Sequence, residues 1–284
     1  MTDKKEVLPP GNQASALPGA VADGEDLLHG GKVMSLWDHL GELRGRIVRS
    51  IIVVMGLFVV FLLGASELLI VLKQPLVDAL PKGVPALHFT GPMDVVFVNM
   101  KIAFLAAVIV GCPVWIWQFW KFFEPALYPR ERRYILPFIA ASILLFFSGI
   151  AFCYYVMLPV TLSFLMTMGM EAATPIITIT DYVSLLTLLI FGFGFVFETP
   201  LVLVLLGMLE ILTSEVLSEY RRIIVFILVV IAMLLTPPDP ISWAIMFGPM
   251  YLMFEGSIVL IRRIEKGRTK TASKAQQSDI KTPT

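Results

Sequence analysis

Four acidic residues stand where a carboxylate is chemically informative. Glu42 lies on the polar face of a stretch that leads into the first apolar run, and Glu131 stands among arginines in the segment PRERR. Glu198 and Glu255 lie inside long apolar segments. Because a carboxylate accepts hydrogen bonds from cationic and neutral donors, each position is a candidate binding site.

The residues alone leave two interpretations of Glu42 open. A helix predicted over residues 35–49 places Arg46 one turn after Glu42, and such an ion pair contributes only about 0.2–0.5 kcal/mol. Alternatively, Glu42 accepts a cationic ligand at the membrane surface. Glu131 also has two interpretations. It can bind a cationic ligand, or it can belong to a solvated charge cluster whose only role is to set the orientation of the chain in the membrane.

An acidic residue inside an apolar helix is energetically costly and therefore needs a structural or functional explanation. A charge at the centre of a membrane-spanning helix costs about 2.5–3.5 kcal/mol, so Glu198 is expected to face a bundle interior or a water-filled cavity. A buried, hydrogen-bonded structural role is the alternative. Glu255, between Phe254 and Gly256, presents a similar and weaker case. A proton-coupled small-solute carrier using Glu198 and Glu255 is the alternative function, although the sequence shows no internal repeat.

Composition excludes several other classes. The chain is 57% hydrophobic and 15% charged with a mean hydropathy of +0.82, whereas soluble domains carry about 25% charged residues. A net charge of zero gives no reason to expect a nucleic-acid partner. Neither the two cysteines nor the three histidines have metal-ligand spacing, and phosphate-binding and catalytic motifs are absent from the sequence. We therefore expect no enzyme activity, cofactor or metal.

The elements that position these residues are apolar helices. Six apolar segments follow one another, at residues 47–71, 95–119, 134–158, 182–209, 223–235 and 241–261. The first four have the roughly 20 residues needed to cross a membrane. The fifth holds about 14 residues, or roughly 21 Å of helix. Residues 223–261 could instead form one bent hairpin that does not cross fully, but we favour two short spans, five and six.

Basic residues predict the orientation. They cluster before span one, between spans two and three, between four and five, and after six, at positions including Arg49, Arg132, Arg222 and Arg263. Because Lys and Arg mark cytoplasmic loops, both termini are expected in the cytoplasm. The prediction is an all-α polytopic protein with a membrane domain at 35–268 and disordered cytoplasmic tails at 1–34 and 269–284. Translation could begin at Met1 or Met34.

Four motifs, in order along these segments, resemble the TatC family. They are WDHLGELRGRI at 37–47, FEPALYPRERR at 123–133, FGFGFVFETP at 191–200 and MLLTPPDP at 233–240. The resemblance covers about residues 35–268. It implies an inner-membrane subunit that binds twin-arginine signal peptides, works with TatA and TatB, and helps export folded proteins using the protonmotive force. It also implies self-association and contact with membrane lipid.

The resemblance also implies roles for individual residues. Glu42 and Glu131 match the glutamates that bind the arginine pair. Glu198 matches the intramembrane glutamate of the family. Other functionally sensitive positions match Arg44 and Phe122 near the signal-peptide site, Pro75 and Pro113, and the partner-contacting Thr236 and Asp239. One departure is Trp243, which stands where some members carry a glutamine.

Overall fold

The computed structural model describes residues 36–80, 87–127, 132–172, 176–236 and 239–280, and the regular elements in these ranges are helical. The α-helices are α1 (Leu36–Leu63), α2 (Ala65–Leu72), α3 (Gln74–Ala79), α4 (Pro92–Val110), α5 (Cys112–Phe123), α6 (Ile135–Phe152), α7 (Leu158–Ala172), α8 (Ile179–Phe197), α9 (Thr199–Met208), α10 (Ser214–Glu219), α11 (Arg221–Leu235) and α12 (Pro240–Ile280). A π-helical segment, Cys153–Met157, joins α6 to α7. The predicted all-α class is confirmed. The expected tail at 1–34 and Glu131 lie outside the described residues.

Prolines divide two of the apolar segments into helix pairs. Pro113 lies in the first turn of α5, directly after the bend at Gly111 that ends α4. Pro200 lies in the first turn of α9, directly after the bend at Glu198 that ends α8. Proline has no backbone N–H and its ring clashes with the carbonyl four residues earlier, so a straight helix cannot continue through it.

Within the described ranges, five helical stretches are long and apolar enough to cross a membrane. They are Gly41–Leu63, Pro92–Val110, Arg132–Thr167, Ile179–Met208 and Pro240–Thr269. The fifth apolar segment of the sequence forms α11, which has 15 residues and is therefore about 22 Å long. α11 packs against α12 as a separate helix.

The interior is built around α8, which packs against both α4 and α6. Glycines allow the second of these contacts to be close. A Cβ atom at Gly149 would lie 2.7 Å from the Phe193 carbonyl oxygen, and one at Gly194 would lie 2.7 Å from the Phe146 ring. Small residues at such positions let apolar helices approach and gain dispersion contacts.

Backbone pairing fixes the end of the bundle at which α4 and α8 begin. The His88 N–H donates to the Ile177 carbonyl at 2.9 Å, and the Ile179 N–H donates to the His88 carbonyl at 2.8 Å. These bonds form a parallel bridge between the residues that precede the two helices. Consequently α4 and α8 start side by side and run in the same direction.

At the same end, two tyrosines complete the last turn of α2. The Tyr154 hydroxyl donates to the Val71 carbonyl at 2.8 Å, and the Tyr182 hydroxyl donates to the Leu72 carbonyl at 2.6 Å. Carbonyls at a helix C-terminus have no partner within the helix, so these bonds satisfy them. The buried Pro75, in the first turn of α3, follows directly.

The other end is closed by the polar extension of α12. Glu265 accepts the Ser214 N–H at 2.8 Å, and Arg268 donates to the Glu210 carboxylate at 3.0 Å. Glu210 has a positive φ of 59°, so these contacts surround a tight bend between α9 and α10. Helix α12 continues to Ile280, whereas the sequence led us to expect an unstructured tail from residue 269. That segment is polar but contains alanine, lysine and glutamine, which favour helix.

We predict that Gly149→Ala lowers the free energy of unfolding by about 1–3 kcal/mol, because the new methyl group meets backbone that cannot move aside. Thermal unfolding of the purified protein in detergent measures the effect. Gly256→Ala is the matched control. A Cβ there meets no atom within 4 Å, so the variant should gain up to roughly 1 kcal/mol of helix propensity. Equal melting temperatures for the two variants would contradict the close α6–α8 contact.

Candidate functional site

Glu42 is held by the arginine one turn later. The Arg46 Nε donates to Glu42 Oε1 at 3.1 Å, and the Nη2 atom of the same guanidinium also donates to that oxygen. Both side chains are largely buried, with 15% of Arg46 and 26% of Glu42 exposed. The ion pair expected from the spacing is therefore present.

Arg46 also connects α1 to α5. Its Nη1 donates to the Gln118 Oε1 at 3.4 Å, one turn before Phe122. Phe122 is half-buried, with its ring centroid 5.1 Å from that of Phe123. The exposed Arg44 lies on α1 between Glu42 and Arg46. Three of the four predicted signal-binding residues therefore lie on two helices that are tied together at this end of the bundle.

The loop after α5 is described at its two ends. Glu124 lies 3.8 Å from the Lys121 Nζ within the short 3₁₀ turn that follows α5. Beyond the gap, Arg132 and Arg133 are exposed. Glu131 falls at 128–131, outside the described residues, so its side chain is not placed. Exposed guanidinium groups directly follow the predicted position of the second carboxylate.

Glu198 lies at the bend between α8 and α9 and is surrounded by residues from other helices. The Trp120 indole donates to the Ser142 hydroxyl at 2.7 Å, and that hydroxyl lies beside the Glu198 carboxylate. The Cys112 thiol is close enough to interact electrostatically with it. Glu198 Oε1 is buried and has no hydrogen-bond donor among the described residues. The site therefore leaves one acceptor without a partner inside the bundle.

Glu255 is in a different situation. The Arg221 guanidinium, at the start of α11, forms an ion pair with it and also donates to the Tyr251 hydroxyl. The Arg221 group lies 5.7 Å from the centre of the Tyr251 ring. Glu255 thus links α11 to α12 through a neutralised pair, which supports a structural role for this intramembrane carboxylate.

Thr236 and Asp239 border the connection between α11 and α12, and both are buried. The Thr236 hydroxyl donates to the Ala232 carbonyl at 2.8 Å, and the Thr236 backbone N–H donates to the same carbonyl at 3.1 Å, near the end of α11. Asp239 Oδ2 accepts the Ser242 N–H at 2.6 Å and so caps the start of α12. Asp239 Oδ1 and the Trp243 indole N–H are buried without partners in the described ranges. Unused polar atoms therefore remain at this connection.

Sequence reasoning missed the partners of these residues. Gln118, Ser142 and Trp120 carry no motif of their own, and they contact Arg46 or the Glu198 site only because their helices become neighbours. Arg221 was visible as a basic residue but was assigned to topology alone. Of the predicted prolines, Pro75 is buried and Pro113 exposed, and each begins a helix. In the described ranges, no three His, Cys, Asp or Glu side chains are grouped to hold a metal ion.

Comparison with known proteins gives these sites a context. The model of the family described as "Sec-independent protein translocase protein (TatC)" matches residues 38–249. The chain is 34% identical over 242 residues to the TatC protein of Campylobacter jejuni, covering 85% of this chain and 97% of that protein. It is 35% identical to the Escherichia coli TatC protein, covering 82% and 90%, and 36% identical to that of Aquifex aeolicus, covering 80% and 94%.

Solved structures agree with the sequence relatives. A crystal structure of the twin arginine translocase receptor TatC superimposes with a TM-score of 0.69 at 34% identity, covering 79% of this chain and 98% of that one. A crystal structure of the receptor in DDM gives 0.70 at 35% identity, covering 78% and 98%. Together with the five apolar stretches of the described residues that are long enough to cross a bilayer, these matches identify a multi-pass membrane protein of protein transport. The chain belongs to the TatC family of Sec-independent protein translocase proteins.

Proposed function

We propose that this chain is the receptor subunit of a twin-arginine translocase in the bacterial inner membrane. It binds the twin-arginine signal peptides of folded precursors and, with TatA and TatB, supports their protonmotive-force-driven export. The observation that carries this proposal is the Glu42 carboxylate, held by Arg46 and tied through Gln118 to the helix that leads into the Glu131 loop. The similar crystal structures are those of a protein named a twin arginine translocase receptor.

The proposed recognition follows from the chemistry of arginine. A guanidinium is a planar fork of five donors that keeps its charge at physiological pH, and a carboxylate can accept two parallel bonds from it. Glu42 and Glu131 together clamp the two adjacent arginines. Arg46 orients Glu42 toward this end of the bundle. Lysine supplies the charge without the fork, so it is selected against.

In this proposal the chain crosses the membrane six times with both termini in the cytoplasm. Exposed basic residues support this orientation. Arg132 and Arg222 lie where the third and fifth apolar segments begin, and Arg263 follows the apolar part of α12. The short α11 is the fifth span and thins the bilayer around it. Thr236 and Asp239 then lie at the opposite side, where this connection, including the unused Asp239 Oδ1, contacts TatA or TatB. Glu198 offers its free oxygen to a polar group within the membrane.

The solute-carrier alternative is not supported. It requires Glu198 and Glu255 to exchange protons as a pair, yet Glu255 is neutralised by Arg221. The relatives and the matching structures are translocase proteins.

We predict that Glu42→Gln and Glu131→Gln each weaken binding of a twin-arginine signal peptide by about 1 kcal/mol or more, because each removes a charge-assisted acceptor. Fluorescence anisotropy with the detergent-purified protein measures the affinity. The matched control is Glu124→Gln, seven residues before Glu131, since Glu124 pairs locally with Lys121. A twin-lysine peptide serves as the second comparison and should bind more weakly to the unmodified protein.

Unchanged affinity in both the Glu42→Gln and Glu131→Gln proteins would remove the clamp from the proposal. Labelling of single cysteines at positions 42 and 131 provides a separate check on topology. Both should react from the cytoplasmic side, where the signal peptide is first met.

We also predict that four leucines inserted between Val229 and Val230 impair export but leave signal-peptide binding intact. The insertion adds about 6 Å to α11 and so removes its mismatch with a hydrocarbon core of about 30 Å. An export assay with a folded reporter measures the effect. Leucine replacement of the exposed Ile223, Phe226 and Ile227 keeps the length and serves as the control. Normal export by the lengthened protein would show that membrane thinning by α11 is irrelevant.

A further inference from the structure

A groove of about 430 Å³ runs along α8 beside α4 and the end of α11. Its polar and apolar residues are separated along its length. The polar residues, toward the end at which α4 and α8 begin, are Lys101, Ser184 and Thr187. The apolar part continues away from that end and is lined by Leu188, Phe191, Gly192, Phe195 and Leu235. The groove surface is therefore almost entirely apolar, with the Lys101 side chain at its border.

Lys101 is the tenth residue of the 19-residue α4, and its side chain is exposed. Its Nζ donates to the Ser184 hydroxyl at 2.8 Å, and that hydroxyl donates onward to the Thr180 carbonyl at 2.6 Å. In the part of the chain that the structure describes, no carboxylate forms an ion pair with Lys101. An ammonium group within an apolar span is unfavourable unless an anion or water reaches it, so this position fits an anionic ligand.

The depth of the groove can be read from the helices. The bridge between His88 and Thr178 sets α4 and α8 level with each other at their starts. Ser184 lies five residues into α8, or about 8 Å from its beginning. The Lys101 side chain extends toward the level of Ser184, as long basic side chains do near a membrane interface. From Ser184 to Phe195 the groove follows 11 residues, or about 16 Å, which is roughly half of a hydrocarbon core of about 30 Å.

We propose that this groove binds one phospholipid of the leaflet at the end where α4 and α8 begin. The lipid phosphate accepts hydrogen bonds from the Lys101 ammonium, and one acyl chain lies along the apolar part. The apolar length matches one leaflet, and the positive charge matches a phosphate at its polar end. A net-anionic headgroup such as phosphatidylglycerol is favoured, because a zwitterionic headgroup brings its own cation to the same position.

The dimensions favour a lipid over a partner helix. A helix with its side chains is at least about 10 Å wide, whereas an extended alkyl chain is much narrower and fits a groove of this size. Such a helix can only rest on the rim, whereas an alkyl chain enters. At Gly192 a Cβ would lie 2.8 Å from a Leu235 methyl group, so α11 closes tightly against the floor.

Native mass spectrometry of the detergent-purified full chain, titrated with phosphatidylglycerol, tests the proposal. Lys101→Gln should bind the tightest phosphatidylglycerol about fivefold more weakly, the contribution of one basic charge to anionic-lipid attraction. Lys101→Arg should retain it. Lys73→Gln, which removes a lysine from the same end of the bundle but outside the groove, is the matched control and should bind as the unmodified protein does.

A second variant tests the acyl-chain part. Leu188→Trp fills the groove and leaves Lys101 in place, so it should also lose the tight lipid, with thermal unfolding confirming that each variant is folded. Glycerol phosphate, which has the anion but no chain, should not displace the lipid. Unchanged lipid binding in Lys101→Gln overturns the proposal. So does a variant that keeps its lipid but loses a co-purifying partner subunit, because that result assigns the surface to a helix.

Discussion

The contact between α6 and α8 is the interaction on which the rest of the structure depends. Gly149 and Gly194 bring the two helices so close that a single methyl group would meet backbone or a phenylalanine ring. Because α8 also packs on α4, its position determines where both neighbours lie. The bend at Glu198, the Ser142 hydroxyl beside it and the groove along α8 all follow from where this helix stands. In hydrocarbon there is little hydrophobic force between helices, so close packing has to supply the stabilisation.

The two intramembrane glutamates, Glu198 and Glu255, have different polar surroundings. Glu255 forms an ion pair with Arg221 at the start of the neighbouring helix. The pair connects α11 to α12 and neutralises the carboxylate. Glu198 keeps one buried oxygen without a donor among the described residues. An unsatisfied buried acceptor is costly, so the two carboxylates contribute differently to the stability of the bundle. The difference between the two was invisible in their sequence surroundings, since both stand among apolar residues.

Much of the fold could be predicted from the sequence because a long apolar segment in a membrane can satisfy its backbone hydrogen bonds in few ways, of which the α-helix is the commonest. All six apolar segments are helical, and the shortness of the fifth was evident from Arg222 and Pro237 at its ends. The Glu42–Arg46 pair was also predictable, since it depends only on helical spacing. The contacts from Arg46 to Gln118, from Trp120 to Ser142 and from Arg221 to Glu255 were not. They join residues that are distant in sequence, and they depend on which helices become neighbours. The helix beyond Arg268 was missed because polar composition was given more weight than helix propensity.

The pairing of His88 with Thr178 has a mechanical consequence. Two backbone hydrogen bonds join the segments that precede α4 and α8. The two helices therefore cannot separate at that end without breaking these bonds. Two cavities in the described part of the chain, of about 430 and 620 Å³, are far too small to hold a folded domain. The proposed export of folded precursors therefore requires a passage bordered by more than this one chain.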